Sequence, residues 1–410
     1  MKRVSVEELQ RVLSALPNVP RVVASGNFAT PNTLVHALDA VVPEYRLFIL
    51  NAQPGLPDRE GVTYETAFVG AGMRRSPRLR YYPCRLSLVP ELFKKSLPPD
   101  VVLLHTSTPE EGNISLGLEV NILPGAMEAA RAHGGLIIAQ ANPAMPATYG
   151  DATIPLDSID YLVEVEEPVI THQADPPDDV SAAIGSRVAA LVPDGATLQL
   201  GIGAVPDATL AALNKHRGLT VWSEMFSDGV LALERAGCMD VDVPITASFV
   251  FGSAELYKWV DRNKRIQLLR TERTNDPGII SDRPNVVSVN SALQVDLFAQ
   301  ANASRVRGEV YSGFGGQTDF IVGALHSPGG QAIIALRSWH PKANTSTVVP
   351  MLTGPVTSFQ HSYIVTEQGA AAIWGHDQVT QAQNIVDNAA HPSVRDELRD
   401  AGRKLGLALR

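Results

Sequence analysis

Short apolar runs that alternate with amphipathic segments constrain the fold of this chain more than any other sequence feature. Runs such as VVLLH and LIIAQ have the length of buried strands, and the segments between such runs carry apolar residues at helical spacing. This alternation is typical of α/β proteins with mainly parallel sheets. We expect strands at residues 21–26, 46–50, 101–105 and 135–140, and helices at residues 31–42, 88–96 and 121–133.

The length of 410 residues exceeds one ordinary hydrophobic core and predicts two or three domains. The alternating pattern is interrupted by QADPPDD at residues 173–179, an acidic and turn-rich stretch that is typical of a domain boundary. A second alternating series follows it. We therefore expect two tandem α/β domains, residues 1–175 and 176–410, with the active site in the cleft between them.

A short internal similarity supports two related halves. GNFATP at residues 26–31 and GIGAVP at residues 201–206 each follow an apolar run and precede a helical segment. In both segments a proline stands near the first helical turn, where its missing N–H costs little. Chance is the alternative explanation for a match of this length.

The charge and the cysteine content exclude several classes of protein. With 34 basic and 43 acidic residues, the net charge of −9 argues against nucleic-acid binding, which requires clustered cations. Cys84 and Cys238 provide neither a disulfide framework nor a thiolate metal site. No apolar stretch reaches the ~20 residues that span a bilayer, and two acids stand where a signal peptide has an apolar run. We expect a cytoplasmic protein with no metal and no nucleic-acid or membrane partner.

Two glycine-rich segments are candidates for binding an anionic group. LQLGIGAVP at residues 198–206 predicts a strand that enters a glycine loop at a helix N-terminus, where a negative oxygen is favoured. An ordinary strand–helix turn is the alternative, and Pro206 stands where the dinucleotide fingerprint has its third glycine. In YSGFGGQTDF at residues 311–320, three glycines in four residues allow main-chain N–H groups to converge on one oxygen.

Glu224 is the candidate for a reacting carboxylate. It ends the run LTVWSE at the predicted carboxyl end of a strand, and ligands of open α/β sheets bind beyond that end. A carboxylate there can act as a nucleophile, a base or a metal ligand, and a capping or loop role is the alternative. We interpret Asp228 as the cap of the next helix, and His105 as a structural histidine at a strand end.

Five segments follow one another in a fixed order: QLGIGAVP (199–206), SEMFSDG (223–229), VSVNSALQVDL (287–297), SGFGGQTDF (312–320) and VTEQG (365–369). With SGNFATP at residues 25–31 and AHP at residues 390–392, they extend over nearly the whole chain. Together these segments resemble the acetyl-CoA hydrolase/transferase family, and within it the 4-hydroxybutyrate or butyrate CoA-transferases.

The resemblance implies two open α/β domains of the CoA-transferase type and a covalent mechanism. In that family a glutamate, which maps onto Glu224, attacks an acyl-CoA to give an anhydride and then a glutamyl-CoA thioester. Coenzyme A is then a substrate and no cofactor is bound permanently. The partners are an acyl-CoA, a small carboxylic acid and, as is usual for such an enzyme, further copies of the chain in a homo-oligomer. The implied CoA-binding and oxyanion residues are Gly201, Ile202, Gly203, Ala204, Val205, Gly315, Gly316, Gln317 and Thr318.

Several residues depart from the family pattern. Trp222 replaces the usual His or Tyr and Gln294 replaces an acid, so we expect both in an altered substrate pocket. Ala299 replaces a glycine, and Thr347 stands where an arginine is common, with Lys342 as a candidate replacement cation. The leading prediction is a CoA-transferase, and an acyl-CoA hydrolase or acyltransferase on the same scaffold is the alternative. A non-catalytic CoA-binding subunit is disfavoured because the nucleophile is retained.

Overall fold

The structure, a computed structural model, describes residues 1–354, 356 and 360–410, which divide into two compact units. These units interleave along the chain, whereas the sequence predicts one boundary at residues 175/176. The first unit takes in the later segment Pro244–Thr274, whose strand Ile266–Leu268 pairs in parallel with Tyr149–Gly150. The assignment of the units as CoA-transferase-like domains stays a prediction. The units are Met1–Gln173 with Pro244–Thr274, and Ala174–Val243 with Asn275–Arg410.

An eight-stranded parallel sheet forms the centre of the first unit. Val101–Thr106 is buried over its whole length, as expected for an apolar run with both faces covered. Successive strands extend to one side of Arg21–Ala24 before the chain returns to its other side with Val101–Thr106. In spatial order the strands are Lys2–Arg3, Tyr161–Glu164, Leu136–Ala141, Val101–Thr106, Arg21–Ala24, Tyr45–Phe48, Val62–Thr66 and Leu79–Tyr81.

Helices and short strands complete the first unit. Ser5 caps the first helix in a capping box with Glu8, which satisfies two N–H groups at the helix start. The α-helices are Val6–Leu13, Asn32–Asp39, Val89–Lys95, Leu123–Ala132, Ala254–Val260 and Thr271–Thr274, and the 3-10 helices are Leu86–Leu88 and Leu156–Ser158. The short strands are Asn113–Ser115, Tyr149–Gly150, Thr153–Pro155, Ile245–Ala247, Phe249–Val250 and Ile266–Leu268.

The second unit is built around a six-stranded sheet that is parallel except for its last pair. The strand Thr197–Leu200 leads out to the edge strand Thr220–Val221, and the chain then returns to the other side of Thr197–Leu200 with Val286–Asn290. In spatial order the strands are Thr220–Val221, Thr197–Leu200, Val286–Asn290, Gln331–Ala335, Tyr363–Val365 and Ala370–Ala372. Shorter strands are Met225–Phe226, Gln294–Asp296, Ala301–Asn302, Arg305–Val306, Glu309–Val310, Trp339–His340, Thr345–Ser346 and Val348–Val349.

Helices of the second unit pack closely where small residues allow it. A Cβ atom on Gly185, in the helix Asp179–Ala189, would lie 2.5 Å from the carbonyl carbon of Ala208 in the helix Ala204–Ala212. The apolar core of this unit includes the fully buried Val295, Ile334 and Ile364. The α-helices are Asp179–Ala189, Ala204–Ala212, Asp228–Arg235, Pro277–Ser281, Gln317–His326, Gln378–Asn384 and Arg395–Lys404, with a π-helix at Ile385–Ala389 and a 3-10 helix at Pro392–Val394.

The mixed α/β class with mainly parallel sheets is confirmed. The strands predicted at residues 101–105 and 135–140 correspond to Val101–Thr106 and Leu136–Ala141, and the helix predicted at residues 121–133 begins later, at Leu123. Apolar periodicity continues into the flanking turns, so it overstates the length of the helices. Within the described ranges, no helix is long and apolar enough to cross a lipid bilayer.

Candidate active site

The candidate site lies at the carboxyl ends of two strands of the second unit, Thr197–Leu200 and Val286–Asn290. The strand order reverses between them, and such switch points leave a crevice for ligands in open α/β sheets. Polar side chains gather there. Oε1 of Gln199 accepts hydrogen bonds from Ser288 Oγ at 2.6 Å and from Asn290 Nδ2 at 3.2 Å.

Glu224 follows the edge strand Thr220–Val221 and directly precedes the short strand Met225–Phe226. The hydroxyl of Ser223 donates to the main-chain oxygen of Leu200 at 3.2 Å and so fastens this segment to the neighbouring strand. Leu200 is also the last residue before the glycine loop at residues 201–205. The segment that carries Glu224 is therefore held beside the start of that loop.

The carboxyl group of Glu224 lies against the N-terminus of the helix Gln317–His326. Asn275 Nδ2 donates to Oε2 of Glu224 at 3.2 Å, and the main-chain N–H of Gly316 also donates to the carboxyl group. Gly316 is the N-cap of that helix, and a Cβ atom on it would overlap both Glu224 Oε2 and Asn275 Nδ2. Glycine at position 316 is therefore required for this contact.

Burial raises the pKa of Glu224 from 4.5 to about 7, because the carboxylate loses its hydration among protein atoms. The hydrogen bond from Asn275 and the N–H of Gly316 act in the opposite direction, whereas the nearby Asp319 raises the pKa further by like-charge repulsion. Glu224 as a residue keeps some contact with solvent, while many protein atoms surround its carboxyl group. A pKa this close to neutrality is typical of groups that react.

Two further hydrogen-bond donors at the same helix N-terminus have no partner in the part of the chain that the structure describes: Gln317 Nε2 and Thr318 Oγ1. Both residues are buried, with exposed fractions of 8% and 3%. A buried donor without a partner is costly, and the positive end of a helix favours an anionic oxygen beside it. Gly315, with φ of +51°, provides the left-handed turn that leads into the helix.

The glycine loop at residues 201–205 enters the helix Ala204–Ala212 and faces open space. Its N-cap, Gly203, has φ of +115°, and Ile202 is an exposed apolar residue. A Cβ atom on Gly201 or Gly203 would meet no described atom within 4 Å. This geometry suits contact with an anionic ligand at a helix start, and the CoA-binding role of the loop stays a prediction.

The two predicted pocket residues have different surroundings. Trp222 is buried, and the guanidinium carbon of Arg283 lies 3.4 Å from the centroid of its ring in a cation–π contact. Desolvation at this position lowers the pKa of Arg283. Gln294 lies in a strand that pairs with Asn302, and no hydrogen bond between described residues links it to Glu224. A role in a substrate pocket stays a prediction for both residues.

Asn275 and Asp319 belong to this site but are not among the site residues predicted from sequence. Asn275 stands in no recognisable motif, and only folding brings it to Glu224, 51 residues away in the chain. Asp319 lies inside the segment SGFGGQTDF, so a motif that the sequence analysis had already selected contains this residue. The interpretation of Asp228 as a helix cap is wrong, because Ser227 occupies the N-cap and Asp228 is the first helical residue.

No cluster of three or more His, Cys, Asp or Glu side chains within the described residues is arranged to hold a metal ion. The groups that the site itself provides are one carboxyl group of raised pKa and several hydrogen-bond donors around it. This arrangement can bring a nucleophilic carboxylate and oxyanion donors to one substrate carbon.

Comparison with known proteins identifies the family. The model for the acetyl-CoA hydrolase/transferase N-terminal domain matches residues 59–172, and the model for the C-terminal domain of the same family matches residues 252–402. A 4-hydroxybutyrate coenzyme A transferase of Clostridium kluyveri is 36% identical to this chain, with 96% of each chain covered. The chain belongs to the acetyl-CoA hydrolase/transferase family.

Two solved structures resemble this acetyl-CoA hydrolase/transferase family member over almost its whole length. RipA from Yersinia pestis has a TM-score of 0.92 at 28% identity, with 99% of this chain and 98% of RipA covered. A 4-hydroxybutyrate CoA-transferase from Porphyromonas gingivalis has a TM-score of 0.83 at 31% identity, with 98% of each chain covered. The resemblance seen in the sequence is confirmed, as is the prediction of an enzyme of the transferase class.

Proposed function

We propose that this enzyme exchanges CoA between a short acyl-CoA and a free carboxylic acid through a covalent glutamyl-CoA thioester on Glu224. The observation that carries the proposal is the position of the Glu224 carboxyl group between the amide of Asn275 and the N-terminus of the helix Gln317–His326. The names of the similar CoA-transferases support the substrate class.

In the proposed reaction, a carboxylate oxygen of Glu224 attacks the carbonyl carbon of the acyl-CoA. The new C–O bond forms, the C–S bond breaks, and CoA leaves as a thiolate from an acyl–glutamyl anhydride. The thiolate then attacks the glutamyl carbon, which gives the glutamyl-CoA thioester and releases the first acid as a carboxylate. A second carboxylate reverses these steps, and neither half-reaction requires a net proton transfer.

Each attack passes through a tetrahedral intermediate whose oxyanion needs donors that are already in place. Asn275 Nδ2 and the N–H of Gly316 hold the nucleophile, and Gln317 Nε2 and Thr318 Oγ1 are buried donors available for an oxyanion. One preorganised donor of this kind lowers the barrier by about 3–4 kcal/mol. The loop at residues 201–205 would contact CoA itself.

Intact-mass spectrometry after incubation with a panel of short acyl-CoAs, without an acceptor acid, tests the proposal. We expect a CoA adduct on the enzyme that is absent from Glu224→Gln and present in Glu309→Gln, an exposed glutamate on a hairpin strand. A second acid should remove the CoA adduct from the enzyme. Double-reciprocal plots of the exchange rate should be parallel. Full turnover by Glu224→Gln would contradict the covalent role.

The need for an acid acceptor distinguishes the proposed CoA transfer from the alternative activity, which is acyl-CoA hydrolysis or acyl transfer to another nucleophile. A hydrolase releases CoA thiol continuously when water is the only acceptor, whereas the proposed transferase keeps CoA on Glu224 and releases at most one enzyme equivalent of the first acid. Measuring free thiol without acetate, and acetyl-CoA after acetate is added, therefore decides between the two activities on the same protein sample.

A further inference from the structure

Three polar side chains at the carboxyl edge of the six-stranded sheet form a closed triangle of hydrogen bonds. Ser288 Oγ donates to Gln199 Oε1 at 2.6 Å. Asn290 Nδ2 donates to the same oxygen at 3.2 Å and to Ser288 Oγ at 2.9 Å. Gln199 is 4% exposed and Ser288 has no exposed surface. A buried polar network of this kind fixes the orientation of each amide group in it.

The triangle leaves two polar groups open, one on each amide. Asn290 Nδ2 uses its two N–H groups within the triangle, so the amide of Asn290 has only Oδ1 left for a further hydrogen bond. Gln199 Oε1 already accepts twice, so this amide has only the N–H groups of Nε2 left. Among the residues that the structure describes, none bonds to Asn290 Oδ1 or Gln199 Nε2. One acceptor and one donor group therefore stand side by side.

Gln199 and Glu224 project from the same face of the sheet. The residues that flank these two in the chain line one apolar cavity, and they are Leu198, Leu200, Ser223 and Met225. Because successive side chains of an extended segment point to opposite faces, Gln199 and Glu224 both point away from that cavity. The side chain of Asn290 lies on their face as well, since it is hydrogen-bonded to Gln199.

Asn290 and Glu224 also stand at the same level of the sheet. Leu200 is the register partner of Val289, and Ser223 is hydrogen-bonded to the main-chain oxygen of Leu200. The residues that come next, Asn290 and Glu224, therefore lie on either side of the strand that ends at Leu200. Two strand spacings, or roughly 10 Å, separate their backbones. The end of the strand between them leaves a crevice into which both side chains reach.

Resting on the proposed function, we propose that Gln199 and Asn290 bind the first amide of the pantetheine arm of CoA. Asn290 Oδ1 accepts from the amide N–H, and Gln199 Nε2 donates to the amide carbonyl oxygen. Two methylene groups separate this amide from the sulfur of CoA, so a thioester that reaches Glu224 carries the amide into the crevice. A secondary amide presents one donor and one acceptor, which match the two groups that the triangle leaves open.

Binding at this position recognises the carrier and not the acyl group, because every acyl-CoA has the same amide. The open polar groups of Gln199 and Asn290, which are costly to leave unpaired in a buried position, gain partners when the substrate binds. The contact also serves the second step of the proposed reaction. A CoA thiolate that is held by its amide stays close to the glutamyl carbon that it must attack.

The test compares S-butyryl-N-acetylcysteamine with the butyryl thioester of 2-acetoxyethanethiol, in which an ester oxygen replaces the amide N–H. We expect the native enzyme to prefer the amide by about tenfold in kcat/KM, because the ester cannot donate to Asn290 Oδ1. Asn290→Ala should lower kcat/KM about tenfold for the amide only and so abolish the preference. Asn388→Ala, at an exposed asparagine of the π-helix Ile385–Ala389, should retain it.

Two results would overturn the proposed amide site. One is equal kcat/KM of the native enzyme for the two thioesters, a comparison that needs no variant and is therefore independent of whether Asn290→Ala folds. The other is an equal loss for both thioesters in Asn290→Ala, since the residue would then act on a part of the substrate that the two compounds share.

Equilibrium binding separates this inference from the proposed function. Calorimetric titration with CoA, which has no acyl group to transfer, should give a Kd that is about tenfold higher for Asn290→Ala than for the native enzyme and unchanged for Asn388→Ala. If the native enzyme forms no CoA adduct but Asn290→Ala weakens CoA binding in this way, the proposed function is wrong and the amide site stands. A CoA adduct together with unchanged CoA affinity in Asn290→Ala would overturn the amide site alone.

Discussion

At Glu224, the burial that raises the pKa of the carboxyl group also makes the stability of the protein depend on pH. Its pKa is raised to about 7 in the folded protein, chiefly by burial, against 4.5 when the group is hydrated. The folded state therefore binds the proton more tightly than the unfolded state, and stability falls as the pH rises from 4.5 to 7. The energetic cost of the ionised group above that range is roughly 3 kcal/mol. The proposed reaction requires that same ionised form.

We predict that Glu224→Gln, which removes this charge, stabilises the protein at pH 8 by up to about 3 kcal/mol and has little effect at pH 4.5. Urea unfolding at the two pH values measures the difference. Glu309→Gln, at an exposed position, should show no such pH dependence. Equal stability of Glu224→Gln and the native protein at pH 8 would show that the carboxylate bears no penalty for being buried.

The helix pair Asp179–Ala189 and Ala204–Ala212 shows how an element positions part of the candidate site. The side chain of Asp178 caps the first helix by accepting from the N–H of Ser181. Gly185 in its middle lies against the backbone of Ala208 and Thr209. Because the second helix begins in the glycine loop at residues 201–205, this close approach also fixes where that loop stands.

We predict that Gly185→Ala lowers the free energy of unfolding by about 1–3 kcal/mol, because the added methyl group overlaps main-chain atoms that cannot rotate away. Chemical denaturation provides the measurement. The neighbouring Ser186→Ala, at an exposed position of the same helix, should change stability by less than about 0.5 kcal/mol. A neutral or stabilising Gly185→Ala would mean that the helices separate without cost.

At the scale of the whole molecule, two buried histidines contribute to the loss of stability in acid. Burial lowers the pKa of His105 to about 4 and that of His361 to about 3, because each ring is kept from water in its uncharged form. The unfolded state binds protons at these histidines below about pH 6.5, so stability is lost as the pH falls from 6.5 towards 4. Glu224 acts in the opposite direction over part of this range.

We predict that His105→Gln reduces the pH dependence of unfolding between pH 6.5 and 4 by about one proton, or roughly 1.4 kcal/mol per pH unit. Unfolding free energies measured at several pH values give this slope. His376→Gln, at an exposed histidine, should leave the slope unchanged. The prediction fails if the two variants have the same slope, since His105 would then titrate as it does in the unfolded chain.

Much of the candidate site can be predicted from sequence, but only where the chemistry is local. Glu224 and the loop at Gly315–Gly316 stand in segments whose residue types and order indicate their chemistry. Asn275 could not be predicted, because nothing in its local sequence distinguishes it from other loop asparagines. The stacking of Arg283 on Trp222 is equally invisible in the sequence, since it joins residues from separate segments.

The sequence by itself determined the α/β class, several of the strands and helices, and the family, because apolar periodicity and short motifs are properties of neighbouring residues. The tertiary structure decided that Pro244–Thr274 joins the first unit, and it brought Asn275 and Asp319 to Glu224. It also decided the pKa of Glu224, because the loss of water and the approach of another charge depend on distances in space. Those distances are fixed by packing between segments that the sequence keeps far apart.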